Sequence, residues 1–248
     1  MADLRRAANL ALDLLFPPKC AYCGGVTAGS GSPLCPDCIE RWLCERKLFR
    51  EAGKPAPPDG IKRACHLAFY TPSRKGEKTV ADVLAYSMKQ GKNRRVYPFA
   101  ALSLCAELYK SAVDGRHEPD GTELKRLADY FDVVSYLPRS RKNAARYGVD
   151  QSRRMAEEIS RLTGIGTVRL FVNTSGKTQH ELSAGERREN MSKLTLAQGA
   201  EECLAGKHLI LVDDIVTTGA SVSAAANLAL GAGAKDVTLL APLRTSVT

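Results

Sequence analysis

Apolar residues recur at helical spacing over residues 76–90, 96–112, 151–163 and 221–232, while short apolar runs at 133–137, 168–172, 208–212 and 237–241 have the length of buried strands. Alternation of the two patterns predicts an α/β fold, a parallel sheet flanked by helices. Ahead of this region, Leu4, Ala7, Ala8, Ala11, Leu12, Leu14 and Leu15 predict an amphipathic helix over 3–16 that Pro17 stops. Residues 51–60 hold Pro55, Pro57, Pro58 and two glycines and read as an extended linker. The chain thus divides into an N-terminal module over 1–50, the linker over 51–60 and a larger domain over 61–248. Residues 114–124, polar with glycine and proline, read as a surface loop.

A chain of 248 residues has room for one generous domain with a small appendage. With 44% hydrophobic and 25% charged residues it has a globular composition, which excludes fibrous and wholly disordered classes. Its apolar runs fall far short of the roughly 20 residues a membrane helix needs, so no membrane insertion is expected. The first apolar stretch is interrupted by Asn9 and Asp13 and leads into Pro17-Pro18 instead of a cleavage site, so the expected location is cytoplasmic. A net charge of +9 favours polyanionic partners.

Of the eight cysteines, Cys20, Cys23, Cys35 and Cys38 form two C-x2-C knuckles with eleven residues between them. Two such turns supply the four thiolates of a closed, structural zinc site, with no position left for a reacting water. The alternative is four buried or redox-active thiols on a metal-free loop, but a segment this rich in Gly, Ser and Pro has little else to hold it together. Cys44 has the wrong spacing for a ligand and reads as buried packing. Cys65, Cys105 and Cys203 are scattered, and their roles stay open.

The most informative stretch is Leu209-Ile-Leu-Val-Asp-Asp-Ile-Val-Thr-Thr-Gly-Ala-Ser221. A buried strand delivers Asp213 and Asp214 at its C-terminal end, where open α/β sheets place ligands. Thr217, Thr218, Gly219, Ala220 and Ser221 then turn into a helix, offering hydroxyls and backbone N–H groups to one phosphate. A ribose 5-phosphate would satisfy both parts. A P-loop reading of Ser175-Gly-Lys-Thr178 fails on spacing, since Phe171 stands where a glycine is needed. A solvated Asp-Asp turn would not require the Thr-Thr-Gly-Ala-Ser run.

The same stretch resembles, at every position, the phosphoribosyl pyrophosphate (PRPP) signature of type I phosphoribosyltransferases. Together with the cysteine module after Leu-Leu-Phe-Pro-Pro-Lys-Cys20, the run 139–151, and Gln179-x2-Leu182-x4-Arg187-x2-Asn190, it is similar to the ComF family, competence- and DNA-utilisation-related proteins with a zinc ribbon and a phosphoribosyltransferase-like domain. The resemblance implies Asp213 and Asp214 as catalytic groups on the ribose hydroxyls or a hydrated magnesium ion, and residues 217–221 as the phosphate loop. It further implies Arg139, Ser140 and Arg141 as diphosphate contacts, and a hood over 177–190 with Lys177, Arg187 and Arg188 as charge partners. The alternative for residues 139–141 is a basic solvated turn, and a plain charged helix explains Glu186 to Glu189 equally. Where the family shows Arg-x-Gly-Phe-Asn-Gln, this chain has Arg146-Tyr-Gly-Val-Asp-Gln151, with an acid at Asp150 in place of an amide.

Two function classes follow from the resemblance. One is transfer of the phosphoribosyl group from PRPP to a nitrogen acceptor, with zinc structural and magnesium accompanying the diphosphate. The other is a non-catalytic module that senses PRPP or holds single-stranded DNA, working with other DNA-uptake proteins. For DNA the densest basic patch is Lys89, Lys92, Arg94 and Arg95, which also reads as a solvated helix end.

Overall fold

The computed structural model describes residues 17–27, 31–53, 55–71, 78–91, 93–113, 115, 117–139, 150–173 and 194–245. The helix expected over 3–16 lies outside them. Strands β1 (Arg63–Cys65), β3 (Val133–Tyr136), β6 (His208–Val212) and β8 (Asp236–Leu240) form a four-stranded sheet in the order β1-β8-β6-β3, with every pairing parallel. All residues of β3 and β8 are buried, which is why these strands read as short, largely apolar runs without polar alternation, although Ser135, Asp236 and Thr238 lie within them. Beyond them, β2 (Ala68–Tyr70), β9 (Leu243–Thr245) and β7 (Ile215–Val216) pair in the order β2-β9-β7, again parallel. At two or three residues each, these strands are too short to leave a period in the sequence.

The run at 168–172 divides. Thr167 bridges in parallel to Val134, with Val168 donating to the Val134 carbonyl at 2.9 Å. The Leu170 N–H then bonds the Ser135 hydroxyl at 3.2 Å, and β4 (Phe171–Asn173) pairs antiparallel with β5 (Leu194–Leu196).

Helices cover both faces of the sheet. In β6, Leu209 and Leu211 pack in one cluster with Val237, Leu239, Ala225, Ala226 and Ala229, the last three from α6 (Ala220–Gly231). Ile210 and Val212 point the other way, into a cluster with Leu104, Leu108, Met155 and Ile159. That second layer is built from α2 (Val80–Gln90), α3 (Val96–Ala112) and α4 (Gln151–Thr163). Helix α2 starts on a capping box, Thr79 with Asp82, and ends on Gly91 at φ +63°. A short α5 (Ala200–Leu204) precedes β6. The polar stretch expected as a loop ends instead in a 3-10 helix, Glu123–Asp129, because Leu124 and Leu127 are both fully buried and anchor it to the body.

Helix α1 (Pro36–Glu51) has no counterpart in the apolar pattern, since it buries only Cys38, Trp42 and Phe49 and is otherwise polar. Cys35 is its N-cap and Pro36 occupies its first turn, where a missing N–H does no harm. Its Glu45 carboxylate accepts from the Val80 and Ala81 N–H groups at 2.7 and 2.9 Å, so α1 caps the start of α2. Arg46, at 2.5 Å, and Arg50 both bond Glu107 of α3. Cys20, Leu34, Cys35, Cys38 and Trp42 accordingly share one core cluster with α2, α3 and α4.

Candidate functional site

The first knuckle is a tight turn. Cys20 N–H bonds the Gly25 carbonyl at 2.6 Å, Gly24 N–H bonds the Cys20 carbonyl at 3.0 Å, and Gly24 sits at φ +75°. The second knuckle is helical, with Cys35 capping α1 and Cys38 in its first turn. The four sulfurs lie within 4.8 Å of one another, and Cys23 and Cys35 Sγ are 3.6 Å apart. Thiolates about 2.3 Å from a tetrahedral zinc ion stand about 3.8 Å from each other, so this donor set fits structural zinc. Burial, then the neighbouring sulfurs, push the Cys38 thiol far up. At Cys20, burial also raises the thiol, but the backbone N–H groups of Cys23, Cys35 and Tyr22 outweigh it and bring it down to about 7. A divalent cation relieves the repulsion of crowded thiolates. Cys44 is exposed, which corrects the expectation of buried packing: it lies on the solvent side of α1. Cys65 and Cys105 are buried, and Cys203 is exposed.

The aspartate pair stands where β6 ends. Asp213 N–H bonds the Leu240 carbonyl at 3.1 Å, which fixes the backbone against β8. Asp213 Oδ1 accepts from the Asp214 N–H at 2.9 Å and from the Ser152 hydroxyl at 3.2 Å. Asp214 Oδ1 accepts from the Ile215 N–H at 2.9 Å, while its Oδ2 pairs with Arg139 Nη2 at 2.8 Å. Desolvation by the pocket walls, followed by the charge of Asp214, raises Asp213 well above the usual carboxylate range, against the opposing bonds from Asp214 N–H and Ser152.

A cavity of about 140 Å³ opens here, lined by Leu137, Pro138, Arg139, Ser152, Asn173, Leu194, Asp213, Asp214 and Ser221. On its far side the chain passes through exposed Thr217 and Thr218 to Gly219, the αL N-cap of α6 at φ +80°. Thr218 Oγ1 accepts from the Ala220 N–H at 3.3 Å, and the helix begins with Ser223 N–H on the Gly219 carbonyl at 2.8 Å. The N–H groups of a first helical turn have no acceptor within their own helix. The pocket therefore combines an acidic floor with a donor-rich rim and one arginine, an arrangement able to take a ligand with hydroxyls or a cation at one end and a phosphate at the other.

Of the residues expected from sequence, Arg139, Asp213, Asp214 and Ser221 converge on this cavity, with Thr217, Thr218, Gly219 and Ala220 forming the adjoining turn. Ser140, Arg141, Lys177, Arg187 and Arg188 lie outside the described residues. In the basic patch, Lys89 Nζ sits 5.2 Å from the centroid of the Tyr70 ring and Arg95 Nη1 lies 3.5 Å from Thr27 Oγ1; Arg94 is described and Lys92 is not.

Sequence reasoning missed Ser152, which is an ordinary polar residue in the first turn of α4 until the fold brings it to Asp213. Asp150 stands out in the sequence for its charge, and only the fold gives it a place. Its carboxylate caps α4 by accepting from the Arg153 N–H at 3.2 Å, and burial raises its pKa despite that bond. Gln151 ties the same helix end to α2, donating to the Met88 and Lys89 carbonyls at 3.4 and 3.2 Å.

Comparison with known proteins finds two domain families along the chain. Residues 11–66 match the double zinc ribbon domain family and residues 128–246 the phosphoribosyl transferase domain family. The first span includes six cysteines, of which four converge among the described residues. The chain is similar to DNA utilization protein YhgH of Escherichia coli O157:H7, 32% identical over 116 residues that make up 46% of this chain and 50% of that protein. The protein of the same name from Salmonella typhi is 41% identical over 68 residues, 27% of this chain and 29% of the relative. The chain spans about half the length of the E. coli relative it matches, and less of the Salmonella one. Among solved structures, adenine phosphoribosyltransferase from Thermoanaerobacter pseudethanolicus aligns over 82% of this chain and 99% of its own, at 14% identity and a TM-score of 0.38. A zinc ribbon match followed by a phosphoribosyltransferase-domain match, with DNA utilization proteins among the similar chains, is what this chain shares with ComF-type proteins.

Proposed function

We propose that the pocket between Asp213, Asp214 and the 217–221 turn binds PRPP, and that the protein transfers its phosphoribosyl group to a nitrogen acceptor in the service of DNA uptake or utilisation. The observation that carries this reading is the geometry of the strand end: two carboxylates on the floor, a glycine-capped helix start on the rim and one cavity lined by both. The 5-phosphate would lie on the rim. Asp213 and Asp214 would accept from the ribose hydroxyls and stabilise positive charge growing at C1. The acceptor lone pair forms the C1–N bond as the C1–O bond breaks; pyrophosphate leaves with the C1–O bonding pair, and the acceptor loses a proton to solvent. The two carboxylates are hard oxygen donors of the kind magnesium takes, and would hold the hydrated ion that neutralises the diphosphate. Arg139, already facing Asp214, and Ser140 and Arg141 are the proposed diphosphate contacts, and Lys177 and Arg187 the proposed charge partners of PRPP in the hood.

The test is ligand-dependent stability. PRPP with magnesium should stabilise the protein by about 2.7 kcal/mol at a hundredfold excess over its dissociation constant. Asp213→Asn combined with Asp214→Asn should weaken this, and labelled PRPP should be consumed in the presence of bases or amines. An unchanged melting temperature at saturating PRPP overturns the assignment.

The names of the relatives favour a second reading, a surface for single-stranded DNA around Lys89, Lys92, Arg94 and Arg95. Lys89 beside Tyr70 supplies a cation next to a ring, as single-strand surfaces do. Binding should be about micromolar at low salt, and charge reversal at Lys92, Arg94 and Arg95 should flatten its salt slope by roughly one unit for each phosphate no longer neutralised. Competition by PRPP would place the strand in the phosphate pocket instead.

A further inference from the structure

The proline-rich segment that composition presents as a linker is fastened along its length to β9, the strand paired with β7 just before the 217–221 turn, and to α6, the helix just after it. Arg244 of β9 donates from Nη1 to the Ala56 carbonyl at 3.3 Å. The Pro58 carbonyl accepts from the Ile61 N–H at 3.1 Å, closing a turn with Gly60 at φ +75°. Asn227 of α6 donates to Asp59 Oδ2 at 3.0 Å, and a Cβ on Gly60 would come within 2.6 Å of Asn227 Oδ1. A Cβ on Gly219 would lie 3.0 and 3.2 Å from Pro58 Cγ and Cβ. The pyrrolidine ring therefore occupies the space directly over the glycine that opens the turn.

Two features are out of keeping with a passive connection. Gly219 is in the left-handed region, where a residue without a side chain has little of its own to hold its conformation, and the nearest neighbour confining it is a ring with fixed φ. Arg244 is only 9% exposed; among the described residues no carboxylate pairs with it, and its Nε has no hydrogen-bond partner. Burying a guanidinium against a single main-chain carbonyl is an expensive way to hold a linker. It stands in register with Val216, the residue just before the turn.

We propose that residues 55–60 form a strap that belongs to the phosphate site: Arg244 pins the strap through Ala56, and Pro58 is a positioning residue that holds Gly219 and the N–H groups after it in their ligand-facing arrangement. The inference rests on the reading above that this turn receives a phosphate. It makes the affinity of the turn depend on a segment far away in sequence, which no motif search of 209–221 would include.

The experiment uses the full-length, zinc-loaded protein and compares wild type with Pro58→Gly, Pro58→Val and Arg244→Met. The first readout is amide hydrogen exchange without ligand, over peptides covering 217–224 and, as reference, β3, β6 and β8. Pro58→Gly should speed exchange in the turn about tenfold and leave the reference strands unchanged, while Pro58→Val, which refills the space, should restore most of the protection. Arg244→Met should have the same local effect, and its combination with Pro58→Gly should add little, because both changes release one strap. Where Arg244→Met fails to fold, the Pro58 pair decides alone. The second readout is calorimetry with PRPP and magnesium, in which Pro58→Gly should bind about tenfold more weakly. Unchanged exchange in the turn, or exchange raised equally in the reference strands, overturns the proposal. If the wild type binds no PRPP while Pro58→Gly still loosens the turn, the PRPP reading fails and the strap stands.

Discussion

The cysteine cluster and the aspartate pocket are built in opposite ways. Four ligands of one kind, drawn from nineteen consecutive residues, close the first, and its geometry is set by two local turns. Residues from six separate parts of the chain make the second: Pro58 behind the turn, Arg139, Ser152, the 213–221 strand end, and Asn173 and Leu194 at the margin. A site closed by local turns can be recognised from spacing. A site closed by packing has only its most local piece, here Asp213 to Ser221, written in one place. The two regions also differ in what they support, because Cys20, Cys35 and Cys38 of the cluster belong to a core shared with α2, α3 and α4, while Cys23 is exposed and the pocket stands at the open end of the sheet.

The largest test of that contrast is removal of the metal. Structural zinc contributes roughly 10–16 kcal/mol in small zinc modules, and here Cys20, Cys35 and Cys38 pack with Trp42 into the main core. Chelation, or Cys38→Ser, should therefore lower metal content, solubility and the melting temperature of the whole chain; a melting temperature unchanged after exhaustive chelation would show the two regions to be energetically separate. Gly219→Val comes next. Forcing a branched residue to φ +80° against the Pro58 ring should cost roughly 2 kcal/mol of stability and abolish stabilisation by PRPP. A branched side chain there would block approach of the phosphate to the backbone, and the structure adds a collision with Pro58 from behind, so the smaller Gly219→Ala should also bind poorly.

The smallest expected effect concerns the joint between the two regions. Burial alone would raise Glu107, but Arg50, Arg46 and Lys110 outweigh it and hold its carboxyl below the ordinary glutamate value. A depressed carboxyl contributes stability above its unfolded pKa of about 4.3 and loses it as pH falls through the folded value. Glu107→Gln should accordingly cost about 2 kcal/mol at pH 7, measured by urea unfolding, with the difference from wild type shrinking below about pH 4. A pH-independent difference would assign the effect to packing instead of charge.

Much of the central sheet was legible because its strands are buried on both faces, so β3, β6 and β8 stand out as apolar runs. Helices α2, α3, α4 and α6 were legible from their apolar spacing. Helix α1 was not, since it buries only Cys38, Trp42 and Phe49 and is otherwise joined to its neighbours by polar contacts, Glu45 to the start of α2 and Arg46 and Arg50 to Glu107, which no periodicity records.

Sequence by itself determined the α/β class, the zinc donor set and the Asp213–Ser221 signature, because each depends on residues that are neighbours along the chain and on turns those residues dictate. Only the tertiary structure decided that Ser152 bonds Asp213, that Arg139 pairs with Asp214, that the cysteine module shares the main core, and that Pro58 lies on Gly219. The bonds of Ser152 to Asp213 and of Arg139 to Asp214 and the contact of Pro58 with Gly219 join residues 61, 75 and 161 positions apart, and a side chain carries no local mark of the partner that packing brings to it.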